Sequence, residues 1–180
     1  VVFALAAAVR AYTKPGEAVL LQQPVYYPFS EVIADNERVI VNSPLKLTDG
    51  HYEIDFYDFE QKIRDNHVKL FLLCSPHNPV GRVWKKWELE KIGEICIRYG
   101  VIVVSDEIHS DFTWGENKHL MFASLSDDFA NISITCTAPS KTFNLAGLQV
   151  SNIFIPNETL RFKFKKAVDA AGYSQVNVMG

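Results

Sequence analysis

At 180 residues, 48% hydrophobic and 12% aromatic, the chain has the length and apolar content to bury one substantial core, which excludes a disordered or fibrous protein. A net charge of −3 with scattered lysines and arginines leaves no electrostatic footprint for a nucleic-acid partner. No apolar run reaches membrane-spanning length, and Cys74, Cys96 and Cys136 are too few and too far apart for a disulfide framework or metal knuckle, so a cytoplasmic protein with no membrane partner is expected.

The chain opens on VVFALAAAVRAY without an initiator Met or a basic leader, and closes on VNVMG without an evident stop. A piece of a larger, unsecreted protein is expected. Apolar spacing predicts a helix over Val2 to Tyr12, ended by Pro15-Gly16, then a short strand over Ala18 to Leu21. A helix over Tyr27 to Asp35 and a strand over Arg38 to Val41 continue the alternation. Thr48-Asp49-Gly50 reads as a turn, and Asp55 as the cap of a helix ending near Asp65. Val68 to Cys74 is a buried strand; Lys85 to Tyr99 is a helix with Gly100 as its C-cap. Asn117 to Asp128 reads as irregular, Ile132 to Thr135 and Gln149 to Ile155 as strands, and Glu158 to Ala170 as a helix. No repeat, low-complexity tract or Gly/Ser linker divides the chain, so one α/β domain with a largely parallel sheet is expected over residues 1–180.

The stretch VIVVSDEIHSD from Val101 to Asp111 organises the rest. Four apolar β-formers in a row predict a strand buried on both faces, and Ser105-Asp106-Glu107 puts carboxylates at its C-terminal end. A charge buried there needs a cationic partner or a ligand, which makes Asp106 the first candidate site residue; a cap on the next segment is the plainer role. In open α/β sheets a ligand sits beyond the carboxyl ends of the strands. Four unusual clusters follow four of the strands: PVYY from Pro24, SPHNPVG from Ser75, SDEIH from Ser105 and TAPSK from Thr137. Together they offer an aromatic face at Tyr26, an amide at Asn78, an acid at Asp106 and an amine at Lys141, a set that suits a charged heteroaromatic cofactor.

Taken singly, each has a structural alternative: Asn78 a turn residue, Tyr26 core, Lys141 a solvated loop lysine. His77, His109, Cys74 and Asp111 lack the paired spacing of metal ligands, so no metal site is expected. The chain also lacks a Gly-x-Gly-x-x-Gly after a strand and a Walker lysine motif.

The series PVYY, SPHNPVGR, SDEIHSD and APSKTFNLAG resembles the large domain of fold-type I pyridoxal-phosphate enzymes, the aspartate aminotransferase superfamily, over nearly the whole chain. Within it, Asp106-Glu107-Ile108-His109 is most similar to the cystathionine β-lyase or C–S lyase branch of the MalY/PatB type. The resemblance implies a three-layer α/β sandwich, here an incomplete large domain lacking an N-terminal segment and a C-terminal small domain. It implies pyridoxal 5′-phosphate as cofactor, an amino acid as substrate and a homodimer.

Residue by residue, the resemblance implies that Lys141 carries the cofactor as a Schiff base and then moves the substrate α-proton. Asp106 would pair with the pyridine nitrogen, Asn78 donate to the ring phenolate and Tyr26 stack on the ring. The phosphate would be held by Ser140, Thr137 and the first-turn amides at Val1 and Val2. Many members have an arginine eight residues after the lysine, where this chain has Gln149; together with His109 this departure leans toward β-elimination at a sulfur-bearing carbon. A transaminase is the alternative that shares every cofactor residue. A non-catalytic cofactor-binding regulatory domain is the alternative from another class.

Overall fold

The structure, a computed structural model, describes residues 1–173 and 177–180. Along the first half of the chain run α1 (Val2–Tyr12), β1 (Ala18–Leu21), α2 (Pro28–Ala34), β2 (Val39–Asn42), β3 (Lys46–Thr48), β4 (His51–Glu53), α3 (Phe56–Asp65) and β5 (Leu70–Cys74). There follow α4 (Lys86–Tyr99), β6 (Ile102–Asp106), α5 (Asp127–Asn131), β7 (Ser133–Thr137), β8 (Asn152–Phe154) and α6 (Glu158–Ala170). Among the described residues, no helix is long and apolar enough to cross a membrane.

One sheet carries the fold, in the order β2-β1-β5-β6-β7-β8. The first five strands are parallel, and β8 joins β7 antiparallel. Residues of β5 are buried on both faces, which explains why LFLLC is an unbroken apolar run rather than an alternation. Alternate side chains then divide between two cores. Leu70, Leu72, Cys74, Val104, Ile134 and Cys136 meet α1, α2 and α6 on one face. Phe71, Leu73 and Val103 meet Phe59 and Ile63 of α3, Leu89 and Ile92 of α4, and Phe129 of α5 on the other. The result is a three-layer α/β sandwich, as the sequence leads one to expect.

Local chemistry sets most boundaries. Asp55 caps α3 by accepting from the Tyr57 and Asp58 N–H groups at 3.1 and 3.2 Å. Gly100 ends α4 in the left-handed region, at φ 66°. Three features differ from the sequence reading. The turn at Asp49-Gly50, with positive φ at both residues, closes a hairpin of β3 and β4 whose strands are too short to show a period. The segment read as irregular through Asp128 ends in α5, where the Ser126 hydroxyl accepts from the Phe129 N–H; five residues make too little helix for periodicity. The strand read over Gln149 to Ile155 is confined to Asn152–Phe154, since Gln149 turns left-handed at φ 53°.

α4 and α5 approach closely at Gly93. A Cβ there would lie 2.4 Å from the Phe129 ring, which is itself stacked on the buried Phe122 at a centroid distance of 5.2 Å. Gly93→Ala should therefore destabilise the protein by about 1–2 kcal/mol in urea unfolding, the overpacking outweighing about 1 kcal/mol of helix propensity gained. Adding Phe129→Leu should recover most of the loss; a Gly93→Ala protein more stable than the parent would show that Phe129 yields freely.

Candidate active site

Because β1, β5, β6 and β7 run parallel, their carboxyl ends open on the same edge of the sheet, and the loops that follow deliver side chains to one cavity of about 680 Å³. Tyr26 reaches it from the loop after β1, Asn78 from the loop after β5, Asp106 and His109 from the end of β6, and Ser140 and Lys141 from the turn after β7. The beginning of α1 closes one side with Val1 and Val2. The sequence-derived set is thus brought together, with one exception. Thr137 ends β7 paired with Asn152 and does not line the cavity, so the hydroxyl expected there is not delivered to it. Two residues further along the same face, the chain has already turned at Pro139, and that turn presents Ser140 instead.

The loops are tied to one another. The Tyr26 N–H donates to the Asn78 carbonyl at 3.0 Å, and the Asn78 N–H donates to the Cys74 Sγ at 3.3 Å. Tyr26 is held edge-on against Tyr27 and keeps its ring partly exposed to the cavity. Below Asn78, His77 is buried with its ring edge-on to Trp84, and burial pushes its pKa down to about 4, so it stands neutral as a packing residue. Among the described residues, no group of three or more His, Cys, Asp or Glu side chains is placed to hold a metal ion.

Asp106 is the electrostatic centre. Its carboxyl lies between Cys74 on β5 and Cys136 on β7, both buried, and is itself 7% exposed. Burial raises its pKa to about 6, against the lowering effect of the Ile108 N–H, which donates to Oδ1 at 3.2 Å. The neighbouring thiols move the same way for the same reason, that of Cys74 pushed up to about 12 and that of Cys136 higher still. Asp106 therefore does serve as a cap, but with one oxygen only. The other has no hydrogen bond to the protein among the described residues, in a cavity that also holds the Lys141 amine. Burial also lowers the His109 pKa, with Lys141 acting in the same direction, so His109 presents a neutral ring.

This donor set fits pyridoxal 5′-phosphate. A half-satisfied buried carboxyl fits a protonated ring nitrogen, the Asn78 amide a phenolate, the Tyr26 ring a heteroaromatic face and the Lys141 amine an aldehyde. For the phosphate, the Ser140 hydroxyl lies at the cavity, and the first-turn N–H groups of α1 have no helical acceptor. Gln149 lines the same cavity with an amide where a cation is expected by resemblance. The sequence reading missed the apolar wall built by Phe29, Ile153, Phe164 and Val168. These residues carried only the ordinary signal of core positions.

Fold and site together define an α/β domain of the kind that holds a pyridoxal group beyond its strand ends. The family model for class I and II aminotransferases matches residues 3–176, and the chain belongs to that family, which depends on pyridoxal 5′-phosphate. It is 54% identical over 177 residues to cystathionine β-lyase PatB of Bacillus subtilis strain 168, covering 98% of this chain and 46% of that protein. It is 34% identical over 170 residues to protein MalY of Escherichia coli K12, covering 93% and 42%. Cystalysin of Treponema denticola, whose crystal structure contains a pyridoxal 5′-phosphate cofactor, superposes with a TM-score of 0.96 at 46% identity, over 99% of this chain and 45% of that one. The chain spans about half the length of these relatives.

A carboxyl with raised pKa binds its proton more tightly folded than unfolded. Between pH of about 4 and 6 the folded state therefore holds more protons, and stability falls as pH rises through that window. Relative to Asp106→Asn, the cofactor-free protein should lose stability on the order of 3 kcal/mol from pH 4 to pH 6.5 by chemical denaturation. A difference between the two proteins that does not change with pH would mean that Asp106 is not buried as a carboxyl.

Proposed function

We propose that this chain is the cofactor-binding large domain of a pyridoxal-phosphate-dependent carbon–sulfur lyase, which cleaves cystathionine- or cysteine-type amino acids to pyruvate, ammonia and a thiol. The observation that carries the reading is the meeting of Asp106, Asn78, Tyr26 and Lys141 at one cavity, from four different strand ends. The identity to PatB supports the lyase branch in particular.

When bound, the cofactor supplies an electron sink for the pair left by the substrate α-proton. Lys141 would hold it covalently through Nζ, and the same amine, when free, would be placed to take the substrate α-proton. Asp106 would hold a proton at the ring nitrogen, since a cation beside its buried carboxyl offsets the desolvation that raises its pKa. Asn78 would donate its amide to the phenolate, and the Tyr26 ring would offer a stacking face. Departure of the thiolate from the β-carbon, followed by addition of one water, gives pyruvate and ammonium, so atoms balance without a keto acid. A transaminase would use the same residues, with Lys141 returning the proton to the cofactor rather than allowing the β-bond to break. His109 lines the cavity, and by the resemblance to the lyase branch it would favour elimination.

The remaining assignments belong to the same proposal. Residues 1–180 would form part of a large domain, in a homodimer that the exposed apolar Val2, Phe3, Tyr27, Phe143 and Leu145 would suit. Three buried free thiols suit the reducing cytoplasm.

Incubated with cystathionine or cysteine and no keto acid, the full-length protein should release pyruvate, ammonia and thiol in equal amounts. Borohydride should fix the cofactor to the peptide holding Pro139 to Leu145. Product that forms only with added keto acid, alongside a new amino acid, would establish transamination instead. Cofactor fixed at Lys118 or Lys163 would displace Lys141 from its role.

A further inference from the structure

Alternation along β6 sends consecutive carboxyls to opposite faces of the sheet. Asp106 faces the cavity, while Glu107 points into the other core and is fully buried. No step of the chemistry above uses Glu107. Its carboxylate is nevertheless fully engaged: Oε1 accepts from the Ser105 hydroxyl at 2.8 Å and from the Phe122 N–H at 3.1 Å, and Oε2 meets His119 Nε2 at 2.7 Å. The His119 side chain is only 8% exposed. The carboxylate thus ties the end of β6 to the segment from His119 to Phe122, closing residues 108–118 into a loop whose two ends are pinned at one point.

That loop faces the cavity on its other side. It carries His109 into the lining, and Asp111 Oδ2 accepts from the Thr142 hydroxyl at 2.7 Å, one residue from Lys141. The turn bearing Lys141 has few other anchors. Phe143 and Leu145 close back on Pro139 and Ser140 through backbone bonds, and their side chains are exposed. Among the described residues, the Asp111 contact is the side-chain hydrogen bond that ties this turn to the loop pinned at Glu107.

We propose that Glu107 and His119 are positioning residues for Lys141: their buried pair fixes the loop, and through the Asp111–Thr142 contact the loop holds the amine in register with Asp106. The chemical part of this rests on Lys141 being the cofactor amine; the mechanical part does not. A pair that only stabilised the fold would leave the turn from Pro139 to Leu145 unaffected when it is broken.

The test uses full-length His119→Ala, His119→Gln and Asp111→Ala proteins, each with and without cofactor. Hydrogen exchange by mass spectrometry is followed in the peptides covering 108–122 and 139–145. His119→Ala should raise exchange about tenfold in both peptides, while β5 stays protected. His119→Gln, whose amide can still donate to Glu107, should restore most of the protection. Asp111→Ala, a change at an exposed side chain that leaves the core intact, should loosen 139–145 alone. In turnover, His119→Ala and Asp111→Ala should both lower kcat about tenfold to a hundredfold with KM nearly unchanged, as misplacement of a reacting group does. If 139–145 exchanges as in the parent in either variant, the positioning role is overturned, with or without cofactor. If the parent itself fixes no cofactor at Lys141, the functional reading fails, while exchange in the cofactor-free proteins still decides the positioning role.

Discussion

The site depends on one electrostatic constraint, a carboxyl buried at the end of the central strand β6 between two buried cysteines. In such surroundings the ionised form is costly, as the rise of the Asp106 pKa to about 6 expresses. The protein satisfies one oxygen with the Ile108 N–H and, among the described residues, offers the other no hydrogen-bond partner. A fold that keeps a half-satisfied acid at its centre is less stable without a ligand, and that same deficit becomes binding free energy when a cation arrives. The parallel sheet makes this possible. β6 is flanked on both sides, so water has no lateral access to Asp106, while the strand ends stay open above it.

Around that acid, the neighbouring loops hold one another rather than merely lying close. Tyr26 is bonded to Asn78 through the backbone, Asn78 to Cys74, and Cys74 pairs with Asp106 across β5 and β6. The aromatic face, the amide and the acid are therefore positioned by the core and not by their own loops, so their rotamers need little ordering when a ligand binds. Lys141 stands on the most exposed turn of the set. This division would suit the proposed chemistry: an amine that exchanged partners and took a proton would need freedom of movement, while groups that stabilise charge would not. The Glu107 network supplies the counterweight from the opposite face of the same strand.

Gln149 shows how the phosphate end differs from the rest. It lines the cavity with an uncharged amide, from a left-handed backbone position that takes it out of β8. With Thr137 outside the lining, the hydroxyl of Ser140 and the first-turn amides of α1 are the donors that would serve a phosphate there under the proposed function.

The sequence by itself determined the βα rhythm, the parallel sheet and most of the site. Unbroken apolar runs such as LFLLC need burial on both faces, and polar clusters directly after such runs have to emerge at the strand ends. Tyr26, Asn78, Asp106 and Lys141 could be placed at the cavity for that reason, while Ser140 and His109 were assigned through the family resemblance. The place of Thr137 was not legible: it alternates with Cys136, which packs on the face of the sheet that bears the cavity, so its side chain falls on the opposite face. The β3–β4 hairpin and α5 were too short to leave a period, and the apolar wall of Phe29, Phe164 and Val168 looks like any other core in sequence. Tertiary structure alone decided that Glu107 meets His119 and that Asp111 meets Thr142. Those contacts join residues 12 and 31 positions apart, and no local propensity or spacing records them, because only the packing of two layers against one strand brings the partners together.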